Sequence, residues 1–193
     1  MTTATRADRA TDDRRVAIVE VGPRDGLQNE RVFVDTAAKV RFVETLAAAG
    51  VRDVEVSSFV HPKAVPQLSD AEAVFASLTR IEGVRYSALV PNLHGLERAL
   101  RCSLDEIAVF TGSTDSFVGK NIRMTVAESL ERFAPVVPAA VAAGLTVRGY
   151  VSTAFGCPYE GAVKPEQGIA VAEALLALGC REAGPRPAGI SAV

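Results

Sequence analysis

Apolar and polar positions along this chain follow two rhythms. Short runs rich in β-branched residues recur at residues 16–21 (VAIVEV), 53–57 (DVEVS), 86–90 (YSALV), 107–110 (IAVF) and 146–151 (TVRGYV), and each reads as a strand. Between them apolar positions fall every three or four residues, the spacing of one helix face. Val40, Val43, Leu46 and Ala47 form such a stripe, with Thr36 placed to cap the helix and Gly50 to end it. Thr125 and Glu128 match a capping box, opening a helix that runs to about Ala143 and stops at Gly144. Pro135 and Pro138 interrupt that helix and predict a kink. Pro165 suits the first turn of a helix ending at Gly179.

Strands alternating with helices imply a parallel sheet with right-handed crossovers. A doubly wound α/β sheet and a β/α barrel both satisfy that order. The turn after the first strand is Gly22-Pro-Arg-Asp-Gly26, without the glycine spacing of a dinucleotide-binding loop. This favours the barrel, where catalytic residues stand at the C-terminal ends of strands. Arg24 and Asp25 hold that position after the first strand. A helix-to-strand pattern repeats in LAAAGVRDVEVSSF and VAAGLTVRGYVSTAF, and LALGCRE begins it again. After Glu182 prolines and glycines replace the apolar run, which excludes a central strand there. The expected fold is a partial TIM-type (β/α)8 barrel over 16–182, with about five βα units and no sixth strand. A mobile tail is expected at 1–15 and an unmatched Pro/Gly-rich tail at 183–193. Strands one and five are then free edges through which the chain self-associates.

Composition narrows the function classes. Hydrophobic residues make up 48% of the 193, enough for a packed core. With 21 basic and 23 acidic side chains, net charge -2, the chain lacks the charge bias of a nucleic-acid or polybasic membrane surface. No apolar run approaches the ~20 residues of a membrane helix. Cys102, Cys157 and Cys180 are three in number, with no C-x-x-C spacing, so neither a disulfide framework nor a zinc site is expected. A reducing, cytoplasmic setting fits. Asp8, Asp12 and Asp13 count against an organelle transit peptide.

The candidate chemistry lies at the strand ends. A carboxylate beside a guanidinium can hold a divalent cation while the arginine faces a developing oxyanion. Asp25 is a hard oxygen donor of the kind Mg²⁺ or Mn²⁺ prefers; a turn salt bridge is the ordinary use of such a pair. Glu55 lies opposite Val54 and Val56 in the strand alternation, where a buried carboxylate needs a partner, and Arg24 is the candidate. Glu20 invites the same question. His61 and His94 sit in loops, where solvent exposure is the commoner fate. Cys157 could line a site mouth, although a packed thiol is commoner. Lys120 and Arg123 could meet a phosphate, or belong to an ordinary loop before a helix.

Five segments, VGPRDGLQNE, EVSSFVHPKAVPQL, LVPNLHGLERAL, KNIRMTVAESLERF and VRGYVSTAFGCPYEG, resemble in order the 3-hydroxy-3-methylglutaryl-CoA lyase family, from about Val16 to Glu182. The resemblance implies a metal-dependent β/α barrel that cleaves 3-hydroxy-3-methylglutaryl-CoA to acetyl-CoA and acetoacetate in leucine degradation. It implies Mg²⁺ or Mn²⁺ as cofactor, with Asp25 as metal ligand, and an acyl-CoA thioester as substrate. Arg24 and Glu55 are implied as catalytic, and Arg24 with Gln28 as substrate-binding. The family's His-x-His element, its asparagine ligand and its glycine-loop cysteine have no counterpart here, so impaired activity is expected. The resemblance ends within a repeated pattern, and residues 183–193 are expected to be read out of frame or from a damaged gene end. Two alternatives stay open: another carbon–carbon lyase or synthase of the same superfamily, or a non-catalytic fragment that needs a partner segment.

Overall fold

A computed structural model describes residues 17–185, the side chain of Pro185 excepted. The tail expected at 1–15 lies outside the described residues, as does the part of the tail expected at 183–193 that follows Pro185. Five parallel strands, β1 (Asp53–Ser58), β2 (Arg85–Leu89), β3 (Glu106–Gly112), β4 (Thr146–Ser152) and β7 (Glu182–Pro185), form one sheet in chain order. A small antiparallel pair, β5 (Gly156–Cys157) and β6 (Gly161–Ala162), sits between β4 and the following helix. Because the strand order never reverses, right-handed crossovers put the packed helices on one face. That excludes a doubly wound sheet and makes this a barrel segment.

The helices are α1 (Thr36–Ala48), α2 (Ala71–Ser77), α3 (Leu93–Ala99), α4 (Asp115–Ile122), α5 (Val126–Phe133), α6 (Val136–Ala142) and α7 (Pro165–Leu178). Their apolar faces bury Val43, Val74, Leu96, Val137 and Leu175 against Val54, Ala88, Val109, Val147 and Val151 of the sheet. The other face is polar, with Asp53, Glu55, Ser87 and Glu106 buried on it. All six residues of β1 are buried, as in a parallel strand covered on both sides.

The structure corrects four expectations. The first strand, expected at 16–21, is reduced among the described residues to a parallel bridge at Glu20, whose amide and carbonyl bond to Asp53 and Glu55. Asp35, not Thr36, caps α1, accepting from the Ala38 amide at 2.8 Å; the Thr36 hydroxyl donates to Asp70 at 2.7 Å instead. The helix expected from Thr125 to about Ala143 is two helices: the Thr125–Glu128 capping box opens α5, and Pro135 separates it from α6. Pro138 is accommodated within α6.

The fourth correction concerns the sixth strand, expected to be missing. β7 pairs with β4 from Arg148–Glu182 to Val151–Pro185, so β4 is an inner strand and β7 takes the edge. The prolines and glycines argued against a central strand, but β7 is a short edge strand whose proline is its last residue, a position that tolerates the lost donor. No helix among the described residues is long and apolar enough to cross a membrane.

Candidate active site at the C-terminal rim

Local backbone geometry sets the site. After Glu20 the chain coils into a single π-helical turn, Gly22–Gly26, whose Arg24 and Asp25 amides both reach the Val21 carbonyl, at 3.0 and 2.6 Å. Such turns concentrate at functional sites. Gly22 permits a close approach: its amide donates to Glu20 Oε1 at 2.6 Å, and a Cβ there would stand 2.8 Å from that oxygen unless the Glu20 side chain moved. Glu20 runs parallel to β1, so the turn lies toward the C-terminal end of the sheet.

Arg24 is 2% exposed and Glu55 is fully buried. Arg24 Nε donates to Glu55 Oε1, and Nη1 donates to Asp25 Oδ1 at 2.8 Å. The Tyr150 hydroxyl, from β4, donates to Glu55 Oε2 at 2.9 Å. Glu55 precedes a register shift between β1 and β2, the kind of bulge that re-aims side chains near active sites. Burial opposes charge on Arg24, but Glu55 and Asp25 outweigh it and hold the guanidinium above even its usual range. Burial, then the Glu55 charge, pushes the Tyr150 phenol far above its ordinary value. Arg24 Nη2 is buried with no hydrogen-bond partner among the described residues.

Arg24, Asp25 and Glu55 are therefore one cluster. Gln28 follows in the next turn, half-buried. Glu20 is engaged locally by Gly22. His61 is exposed and its Nδ1 accepts from the Lys63 amide at 3.2 Å; His94 lies in α3, exposed and 3.8 Å from Glu97. Cys157 is buried, accepting from the Thr114 hydroxyl at 3.1 Å and the Tyr159 amide at 3.4 Å. Lys120 is in the last turn of α4, and Arg123 ends that helix at a left-handed φ of 56°. An open groove of about 710 Å³ lies among Asn92, His94, Arg123, Glu128 and Arg132, away from the cluster and of mixed charge.

Tyr150 is the member that sequence reasoning missed. Strand alternation places it with Arg148, but its contact with Glu55 spans 95 positions and depends on sheet register.

A divalent cation needs several converging oxygen or nitrogen donors. No group of three or more His, Cys, Asp or Glu side chains converges among the described residues. The two carboxylates of the cluster are both engaged by Arg24. These residues alone do not compose a Mg²⁺ or Mn²⁺ centre.

A singly wound parallel sheet, helices on one face, and a buried guanidinium–carboxylate cluster at the strands' C-terminal end define part of a β/α barrel of the kind that keeps its chemistry on that rim. Comparison narrows the class: the chain matches the HMGL-like family over residues 15–184 and belongs to it. The 3-hydroxy-3-isohexenylglutaryl-CoA/hydroxy-methylglutaryl-CoA lyase of Pseudomonas aeruginosa is 48% identical over 169 residues, covering 88% of this chain and 56% of the relative. The HMG-CoA lyase structure from Brucella melitensis superposes with a TM-score of 0.85 at 49% identity, over 88% of this chain and 60% of that one. An HMG-CoA lyase from Acinetobacter baumannii, solved with coenzyme A and 3-methylmalate, gives 0.82 at 35% identity, over 86% and 54%. The chain thus spans little more than half the length of these relatives.

Proposed function

We propose that the Arg24 cluster is the oxyanion-binding part of a carbon–carbon lyase centre that acts on 3-hydroxy-3-methylglutaryl-CoA and yields acetyl-CoA and acetoacetate. The names of the relatives support the substrate class, and the coenzyme A bound by one neighbour supports an acyl-CoA thioester. The observation that carries the reading is the buried Nη2 of Arg24, which has no partner among the described residues. An unsatisfied buried donor costs about 1–3 kcal/mol, and a charged one more, so an incoming acceptor that meets Nη2 recovers that cost.

The chemistry gives that donor its role. The tertiary hydroxyl loses its proton and becomes the ketone of acetoacetate. The electron pair of the broken carbon–carbon bond moves onto the thioester oxygen as an enolate, and the enolate carbon then takes a proton. Arg24 meets the enolate oxygen, where a fixed cation in a dry site is worth far more than in water. Glu55 holds Arg24 in place; with both of its oxygens engaged, it serves orientation rather than proton abstraction. Gln28, next on the rim, contacts the acyl group. Asp25 would supply one carboxylate toward the divalent cation that the family resemblance implies. A second reading, a chain that acts only alongside a segment completing the barrel, is favoured by this incomplete donor set.

Calorimetry of the purified chain with 3-hydroxy-3-methylglutaryl-CoA tests the proposal. Binding by the wild type, lost or weakened at least about tenfold in Arg24→Met with the fold intact, is the expected result. Equal affinity in both would remove Arg24 from the site.

A further inference from the structure

We infer that Tyr150 is a positioning residue that keeps Arg24 open: its hydroxyl holds the second oxygen of Glu55 and so prevents the guanidinium from closing on that carboxylate as a two-point fork. Arginine and carboxylate prefer two parallel hydrogen bonds. On the side-on edge of a guanidinium, the two donors are Nε and Nη2. Here Nε already bonds Glu55 Oε1, so Oε2 is the natural acceptor for Nη2. That oxygen is held by Tyr150 at 2.9 Å and makes no hydrogen bond to Nη2, which has no partner among the described residues. The Asp25 contact at 2.8 Å fixes Nη1 and stops the guanidinium from rotating away. Three of its edges are thus assigned: one to Glu55, one to Asp25, and one held open by a phenol that arrives from β4, three strands away in the sheet order. Tyr150 acts through Glu55 and Arg24 and touches no substrate.

The inference rests on the lyase reading only for the identity of the ligand. Its test follows the Arg24 side-chain resonances by ¹H–¹⁵N NMR in the full chain with labelled arginine, assigned with Arg24→Lys, while sodium acetate is added as a small oxyanion. In the wild type the Nη2 protons should shift with acetate while those on Nη1 stay. In Tyr150→Phe, which keeps the ring, Nη2 should close onto Glu55 and its acetate response should disappear. Affinity for 3-hydroxy-3-methylglutaryl-CoA should fall about tenfold, the loss of one charge-assisted hydrogen bond. If Tyr150→Phe does not fold, Tyr150→Met fills the space without a donor and serves the same test. A purely structural role for Tyr150 would lower the melting temperature and leave the acetate response of Nη2 unchanged, and that result would overturn the inference. So would a wild-type Nη2 that ignores acetate. A wild type that responds to acetate but does not bind the thioester would sink the lyase reading and leave the role of Tyr150 standing.

Discussion

A guanidinium that is 2% exposed is stable only because two carboxylates flank it, and each needs its own tether. Glu55 is tethered by strand β1 and by Tyr150; Asp25 is tethered by the backbone of the π-turn. Burial shows its effect differently at Cys180, at the start of the connection into β7. There it raises the thiol from 9.0 to about 11. The folded state then keeps a proton that the unfolded state releases, so this contribution is full below pH about 9 and is lost as pH rises toward about 11. Tyr150, also raised, acts in the same direction at higher pH. Melting temperatures measured from pH 8 to 11 should fall for the wild type and fall less steeply for Cys180→Ala; parallel curves would contradict the assignment. The arginine–acid pair after the first strand and Glu55 on the second were legible because a charge inside an apolar alternation stands out locally. Tyr150 was not, since a tyrosine in a strand is ordinary until the register places it beside a carboxylate.

Elements followed the sequence where the signal was local chemistry. The capping box at Thr125, Pro165 at the first turn of α7, and Gly179 at a left-handed φ of 111° stand where the residues placed them. Asp35 took the cap from Thr36 because the threonine hydroxyl found Asp70, a contact outside the helix. β7 was not legible because prolines and glycines exclude a central strand but not a short edge strand that ends on its proline. Close approach between elements was equally invisible. Gly95, in α3, has no room for a methyl group: a Cβ would lie 2.8 Å from the Phe59 carbonyl oxygen. Alanine is the better helix former by about 1 kcal/mol, but displacing a backbone costs about 1–3 kcal/mol. Gly95→Ala should therefore be net destabilising in urea unfolding, and a stabilised variant would show that α3 shifts freely on the sheet.

Across the whole molecule, the inner face of the sheet carries a ladder of alternating charge near the strands' N-terminal ends. Asp53 accepts from Arg85, which stands 3.7 Å from Glu106; Arg148 donates to Glu106 at 3.2 Å and lies 2.8 Å from Glu182. The ladder runs the width of the sheet and stops at β7, whose outer edge has no strand partner among the described residues. Unpaired edges recruit further strands, so sedimentation velocity should show an average mass that rises with protein concentration; a constant monomer mass would mean the edges are protected.

The central claim, that Arg24 meets an enolate, is tested most directly by acetoacetate release from 3-hydroxy-3-methylglutaryl-CoA. The chain should be assayed with Mn²⁺, alone and with a polypeptide supplying the remaining units of the Pseudomonas aeruginosa relative. Little turnover is expected from the chain alone, turnover when the two are combined, and a loss of about 10²–10³-fold when the chain carries Arg24→Met. Undiminished acetoacetate from the Arg24→Met mixture would contradict it.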